Sequence, residues 1–232
     1  MLDNLPVNSS EIAAGHRSRL RKRLLNSGAG SLHDHEIIEY LLALAIPRRD
    51  TKPLAKQLLA HYGGFSALLT ADSQNLAQQP GMGETSAAAL KIVQAAALRM
   101  LSEPVREQPI LASWQSLIDY LRVDMAHLTI ERVRVLYLNS KNQLIKDDIA
   151  SEGSIDQAQI YTREIIRRAI DLGAAAIILV HNHPSGDSAP SRQDINMTRE
   201  IADAGKRLGI SVHDHIIVGK DGFSSMRSAG LI

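Results

Sequence analysis

The sequence predicts an α/β (α+β) domain preceded by a small all-α domain, and three observations carry that expectation. Apolar patterns through the first hundred residues have helical spacing or length. Beyond about residue 105, strand-like runs alternate with helical ones. Between the two lies Ser102-Glu103-Pro104-Val105-Arg106-Glu107-Gln108-Pro109, polar and bracketed by prolines, which reads as a linker because proline breaks helices and cannot donate to a sheet. The expected division is 1–104 all-α, 105–112 linker and 113–232 α/β.

In the first part, helices are expected over 11–25, 33–44, 51–61, 65–69 and 86–101, with Gly, Pro or Asn/Ser breaks between them. The stretch from Leu76 to Leu90 contains Pro80-Gly81-Met82-Gly83 and resembles a helix-hairpin-helix. In that motif two glycines make a tight turn and expose amides at the next helix's N-terminus, where a phosphate can bind. Upstream, Arg17, Arg19, Arg21, Lys22 and Arg23 form a dense basic stretch. Gly81, Gly83, Arg17 and Arg21 are therefore the candidates for contacting DNA. The competing reading is a packing hairpin and a solvated helix face, and Glu84 supports it by placing negative charge beside the turn.

In the second part, 113–121 reads as a helix, and 133–138 and 143–150 read as strands joined across Asn139-Ser140-Lys141-Asn142. A helix begins near Thr162-Arg163-Glu164-Ile165, with apolar residues at Ile165, Ile166, Ala169, Ile170 and Leu172. The run 174–180 is apolar and β-branched enough to be a buried strand. It leads into His181-Asn182-His183-Pro184-Ser185-Gly186-Asp187.

Two histidines separated by one residue at a strand end project from one face and can share one ion. Pro184 forbids a regular continuation, Ser185-Gly186-Asp187 reads as a turn, and Pro190-Ser191 starts a helix that returns Asp194 toward the histidines. Two imidazoles and a carboxylate suit zinc and leave a fourth position for water. The spacing alone leaves alternatives open. Ser191 and Asp194 also fit a capping box, Asp187 can supply the carboxylate, and His213-Asp214-His215 is a second His-x-His on an expected strand.

The pattern His-x-His, seven residues, Ser, two residues, Asp resembles the metal motif of the JAMM (MPN+) metalloprotease family, matched by His181, His183, Ser191 and Asp194. Over nearly the whole chain, including Arg163-Glu164-Ile165, the His-Asn-His-Pro-Ser-Gly run and Asp214-His215-Ile216-Ile217-Val218-Gly219, the sequence resembles the bacterial RadC-like family, historically labelled DNA repair proteins. The resemblance implies a cytidine-deaminase-like JAMM/MPN+ fold, Zn2+ on His181, His183 and Asp194, and help from Ser191 in stabilising an oxyanion. It also implies hydrolysis of a peptide or isopeptide amide in a protein or peptide substrate by metal-activated water. An upstream glutamate is needed as general base. Glu164 is the choice because it heads the helix before the metal strand, although the helix dipole favours a carboxylate there anyway; Glu152 is the runner-up.

Composition closes several routes. The chain has no cysteine, which excludes a thiol nucleophile, disulfides, thiolate zinc ribbons and the Cys-x-x-Cys pair of a zinc deaminase. The consecutive His-Asn-His is unlike the dispersed residues of an HNH nuclease. A net charge of +1 argues against a polyanion bound over the whole surface. With no run near the roughly 20 apolar residues of a membrane span and no secretion signal at the start, a cytoplasmic protein with no membrane partner is expected.

Overall fold

A computed structural model describes residues 9–110, 112–153 and 161–232. It divides into two compact units, Met1–Ala96 and Ala97–Ile232. In the first, α1 (Ser9–Ser27), α2 (Asp34–Ala45), α3 (Lys52–Tyr62), α4 (Phe65–Thr70) and α5 (Ser73–Gln78) precede the start of α6 (Glu84–Glu107). Ile38, Leu42, Leu54, Leu58, Leu68, Leu76 and Leu90 form its aliphatic core. The six-residue α5 buries only Leu76, so it shows no apolar pattern. Its signal is Asp72, whose carboxylate accepts from the amides of Gln74 and Asn75, both at 2.9 Å.

The segment expected to be a linker instead continues α6 as far as Glu107, with Pro104 inside the helix; Leu111 of that segment lies outside the described residues. The reason is burial. Val105 and Ile110 are at most 1% exposed and pack with Leu117, Ile118 and Leu121. Two such side chains contribute about 1.5–3 kcal/mol each, enough to offset the roughly 3 kcal/mol an interior proline costs a helix.

The second unit is a five-stranded sheet in the order β2-β1-β3-β4-β5, with α7 (Trp114–Met125), α8 (Thr162–Asp171) and α9 (Arg192–Lys206). Strand β1 (Glu131–Leu138) is antiparallel to β2 (Leu144–Gly153) and to β3 (Ala176–Asn182). Strand β3 is parallel to β4 (Ser211–Val218), which pairs antiparallel with β5 (Phe223–Ser225). Leu136, Leu138, Ile178 and Val180 face α7, whereas Val135, Tyr137, Ile177 and Leu179 face α8 and α9. Central β3 is buried along its whole length, which explains its unbroken apolar run.

Two features of this sheet position the site. Helix α9 is the crossover between parallel β3 and β4, so its N-terminus stands at the C-terminal end of β3. The register of β4 against β3 shifts between Ile177 and Ile178, which pair with Val212 and Asp214 and leave His213 as the extra residue. That bulge reverses the facing of everything after it. His215, opposite Leu179, consequently looks toward α9. Among the described residues no helix is long and apolar enough to cross a membrane.

Candidate metal centre

The strand-end histidines and the first turn of α9 meet. Nε2 of His181 lies 2.8 Å from Nε2 of His183 and 3.3 Å from Oδ1 of Asp194, and Nε2 of His183 lies 3.6 Å from Oδ2 of Asp194. One ligand atom from each of the three falls within 4.8 Å of the others, a group that can hold a metal ion. The capping box forms as well: the Asp194 amide donates to Ser191 Oγ at 3.1 Å, and the Ser191 amide and hydroxyl donate to Asp194 Oδ2 at 2.8 and 2.6 Å. The capping box of Ser191 and Asp194 therefore forms in the same arrangement that brings the Asp194 carboxylate beside the two histidines. The cap occupies Oδ2 and leaves Oδ1 toward His181.

Of the alternative ligands, Asp187 and His213 are engaged elsewhere, and His215 meets Nδ1 of His181, the nitrogen turned from His183 and Asp194. Asp187 uses its carboxylate on the Ala189 amide at 2.9 Å. Its backbone carbonyl lies 2.7 Å from Nδ1 of His183. Because a carbonyl only accepts, Nδ1 of His183 carries a proton, so in the neutral ring Nε2 presents the lone pair, and in the protonated ring Nε2 donates to Asp194. His213, the extra residue of the bulge, contacts Asn142 Oδ1 at 2.7 Å.

The electrostatics favour an electron-rich cluster. Burial lowers the His181 pKa to about 4, with neighbouring His183 adding to the effect and Asp194 opposing it. Burial likewise lowers His215 to about 3. For Asp194, burial raises the pKa, but hydrogen bonds from His183 and Ser191 and the charge of His181 together outweigh it and hold the carboxyl well below its ordinary range. His183 is raised, chiefly by its hydrogen bond to Asp194. Two nitrogens and a carboxylate oxygen thus converge where either a proton or a cation must sit between them. That donor set fits zinc. The adjoining cavity, about 310 Å³, is lined by Glu131, Val133, His181, His183, Ser191 and Asp194 among others, so it leaves room beyond the three donors.

The glutamate in this cavity is Glu131, which the sequence reading missed. Glu164 heads α8 as expected but is half exposed, with its carboxylate held by Arg163 at 3.3 Å and Arg167 at 2.5 Å. Glu152, on edge strand β2, pairs with Arg132. Neither lines the cavity. Val133 pairs antiparallel with His181, so continuing the register by two residues puts Glu131 opposite His183. The signal was a carboxylate at the head of a strand, usable only once β1 is known to lie beside β3. Burial raises the Glu131 pKa, Asp194 adds to the rise and His183 opposes it.

Asn182, the middle residue of the His-Asn-His run, fixes that glutamate. Its Oδ1 accepts from the Arg132 amide at 2.9 Å, and its Nδ2 donates to the Ile130 carbonyl at 3.0 Å. The peptide groups on both sides of Glu131 are held by one side chain that is 1% exposed.

The N-terminal candidates are largely engaged within their own unit. Gly81 has φ +86°, a left-handed conformation suited to glycine, and a Cβ there would meet Arg49 Nη1 at 2.7 Å. The Gly83 amide donates to Ser86 Oγ at 2.9 Å. Arg17 donates to the carbonyls of Pro47 and Arg49, and Arg23 donates to Glu36 at 2.8 Å. Arg21 is exposed, as are Arg19 and Lys22.

The buried histidines set an acid limit on the metal-free protein. The ordinary histidine value is 6.5, against about 4 for folded His181 and about 3 for folded His215. Between these values the unfolded chain binds more protons, so stability is full above pH 6.5 and is lost as pH falls toward the folded values. The loss near pH 5 is about 2 kcal/mol per histidine, partly offset by His183, whose shift has the opposite sign. Denaturant midpoints of metal-free protein should fall between pH 7 and pH 5; equal midpoints would contradict the buried, neutral pair.

A family model described as RadC-like JAB domain matches residues 111–231. A second, described as UPF0758 N-terminal, matches residues 14–88.

Proposed function

Because the chain belongs to the RadC-like JAB domain family over residues 111–231, we propose that it is a zinc-dependent hydrolase that cleaves a peptide or isopeptide amide in a protein substrate. The observation that carries this reading is Glu131, a carboxylate lining the same cavity as the His181, His183 and Asp194 group. A site serving structure alone needs no base beside its ligands.

His181, His183 and Asp194 would hold the metal. When bound, zinc with three protein ligands lowers the pKa of a water to about 7 and polarises a carbonyl. Glu131 then takes the proton of the attacking water and returns it to the leaving amine, and the rise that burial and Asp194 give its pKa suits a group that must both accept and donate near neutrality. Ser191 lines the cavity. Since Asp194 Oδ2 also accepts from the Ser191 amide, the hydroxyl is free to turn toward the developing oxyanion without leaving that oxygen unpaired. The N-terminal helices serve as a recognition or docking module, with Arg21 and its exposed neighbours on α1 as the residues left for phosphate contacts.

The test is cleavage of a peptide library containing both linear and lysine-linked amides, followed by mass spectrometry, with zinc-loaded and chelator-treated full-length protein. Cleavage that disappears on chelation and returns with zinc supports the reading. Zinc-loaded protein that cleaves neither bond type overturns it in favour of a metal site without hydrolytic activity.

A further inference from the structure

We infer that His215 and Thr198 are positioning residues that orient the His181 ring so that its Nε2 lone pair faces the metal. This rests on the reading that His181 is a ligand, but it assigns work to two residues that touch neither metal nor substrate in that scheme.

One buried chain of hydrogen bonds fixes where each proton sits. Thr198 Oγ1 lies 2.6 Å from the backbone carbonyl of Asp194. The other acceptor in reach is Met226 Sδ at 3.6 Å, a weak one, and a carbonyl cannot donate, so the hydroxyl spends its single proton on the carbonyl. The same oxygen lies 2.6 Å from Nδ1 of His215. With its proton committed, it can only accept, so Nδ1 of His215 is the protonated nitrogen. An uncharged imidazole carries one ring proton, and Nε2 of His215 is therefore an acceptor. It lies 2.8 Å from Nδ1 of His181, which must donate. Nε2 of His181, facing His183 and Asp194, is left as a lone pair.

Every member is shielded from water: Thr198 and His215 are 0% exposed and His181 1%. No solvent molecule competes for these bonds or supplies a proton to reverse their direction. The chain starts at the backbone of one ligand, Asp194, and ends on the ring of another, so α9, β4 and β3 are tied together around the metal position. His183 reaches the same tautomer independently, through the Asp187 carbonyl. The His213 bulge is what makes the relay possible, because without it His215 would face the opposite side of the sheet.

The experiment measures zinc affinity of the full-length protein by competition with a chromogenic chelator and records the visible spectrum of the cobalt-substituted form. His215→Leu fills similar space but accepts no hydrogen bond. It should weaken zinc by about 10–100-fold, the usual cost of losing a partner behind a metal-binding histidine, and should alter the cobalt spectrum. Thr198→Val should weaken zinc less and add nothing in the His215→Leu background, because Thr198 acts through His215. His215→Gln, whose side-chain carbonyl can accept from His181, should recover part of the loss. A residue that merely fills space predicts wild-type affinity in His215→Leu, and that result, with unchanged circular dichroism, overturns the inference. Should His215→Leu fail to fold, wild-type affinity in Thr198→Val overturns it equally. Wild-type protein that binds no zinc would instead remove the hydrolase reading on which the inference rests.

Discussion

Glu131→Gln is expected to retain fold and zinc while losing amide hydrolysis by about a hundredfold or more, the contribution usual for general acid–base catalysis. The substitution keeps shape and hydrogen-bonding length but cannot accept the proton of the attacking water. Removing the carboxylate also removes a negative charge from a cavity that already contains Asp194, so zinc binding should change little compared with turnover. Glu164→Gln is the matched control. Its carboxylate is spent on exposed arginines, and its turnover should stay near that of the parent. Wild-type turnover in Glu131→Gln, with loss in Glu164→Gln, would restore the assignment that sequence alone favours.

His181→Ala is expected to abolish stoichiometric zinc. It removes one of three converging donors and leaves Nε2 of buried His215 without its partner, a cost of about 1–3 kcal/mol to the metal-free protein. This variant is cleaner than Asp194→Ala, which would also dismantle the capping box of α9. Elemental analysis of protein purified with zinc should find about one ion per chain in wild type and none in His181→Ala. Equal zinc in the two would place the ion elsewhere.

Much of this was legible in the sequence because it is local. The apolar run ending in His-x-His gave β3 and its two histidines on one face, and Pro190-Ser191 with Asp194 gave the start of α9 and the returning carboxylate. The five helical segments expected in the first part correspond to α1, α2, α3, α4 and α6. What stayed hidden depends on long-range pairing. Glu131 reaches the site only because β1 lies antiparallel beside β3, fifty positions away in sequence, whereas Glu164 is nearer in sequence but is not among the residues that line the cavity. The role of His215 depends on a one-residue bulge that the alternation of His213-Asp214-His215 does not reveal. The extension of α6 through Pro104 follows from the burial of Val105 and Ile110, which a polar, proline-bracketed segment conceals.

The central claim is that His181, His183 and Asp194 hold one zinc with an open position beside Glu131. A crystal structure of the zinc-loaded protein, phased to show anomalous scattering at the zinc edge, tests it most directly. The account predicts one peak within about 2.0–2.2 Å of those three donors, with water as the fourth ligand on the side of the Glu131 carboxylate. A peak at any other residues, or a fourth position closed by a protein side chain, would contradict it.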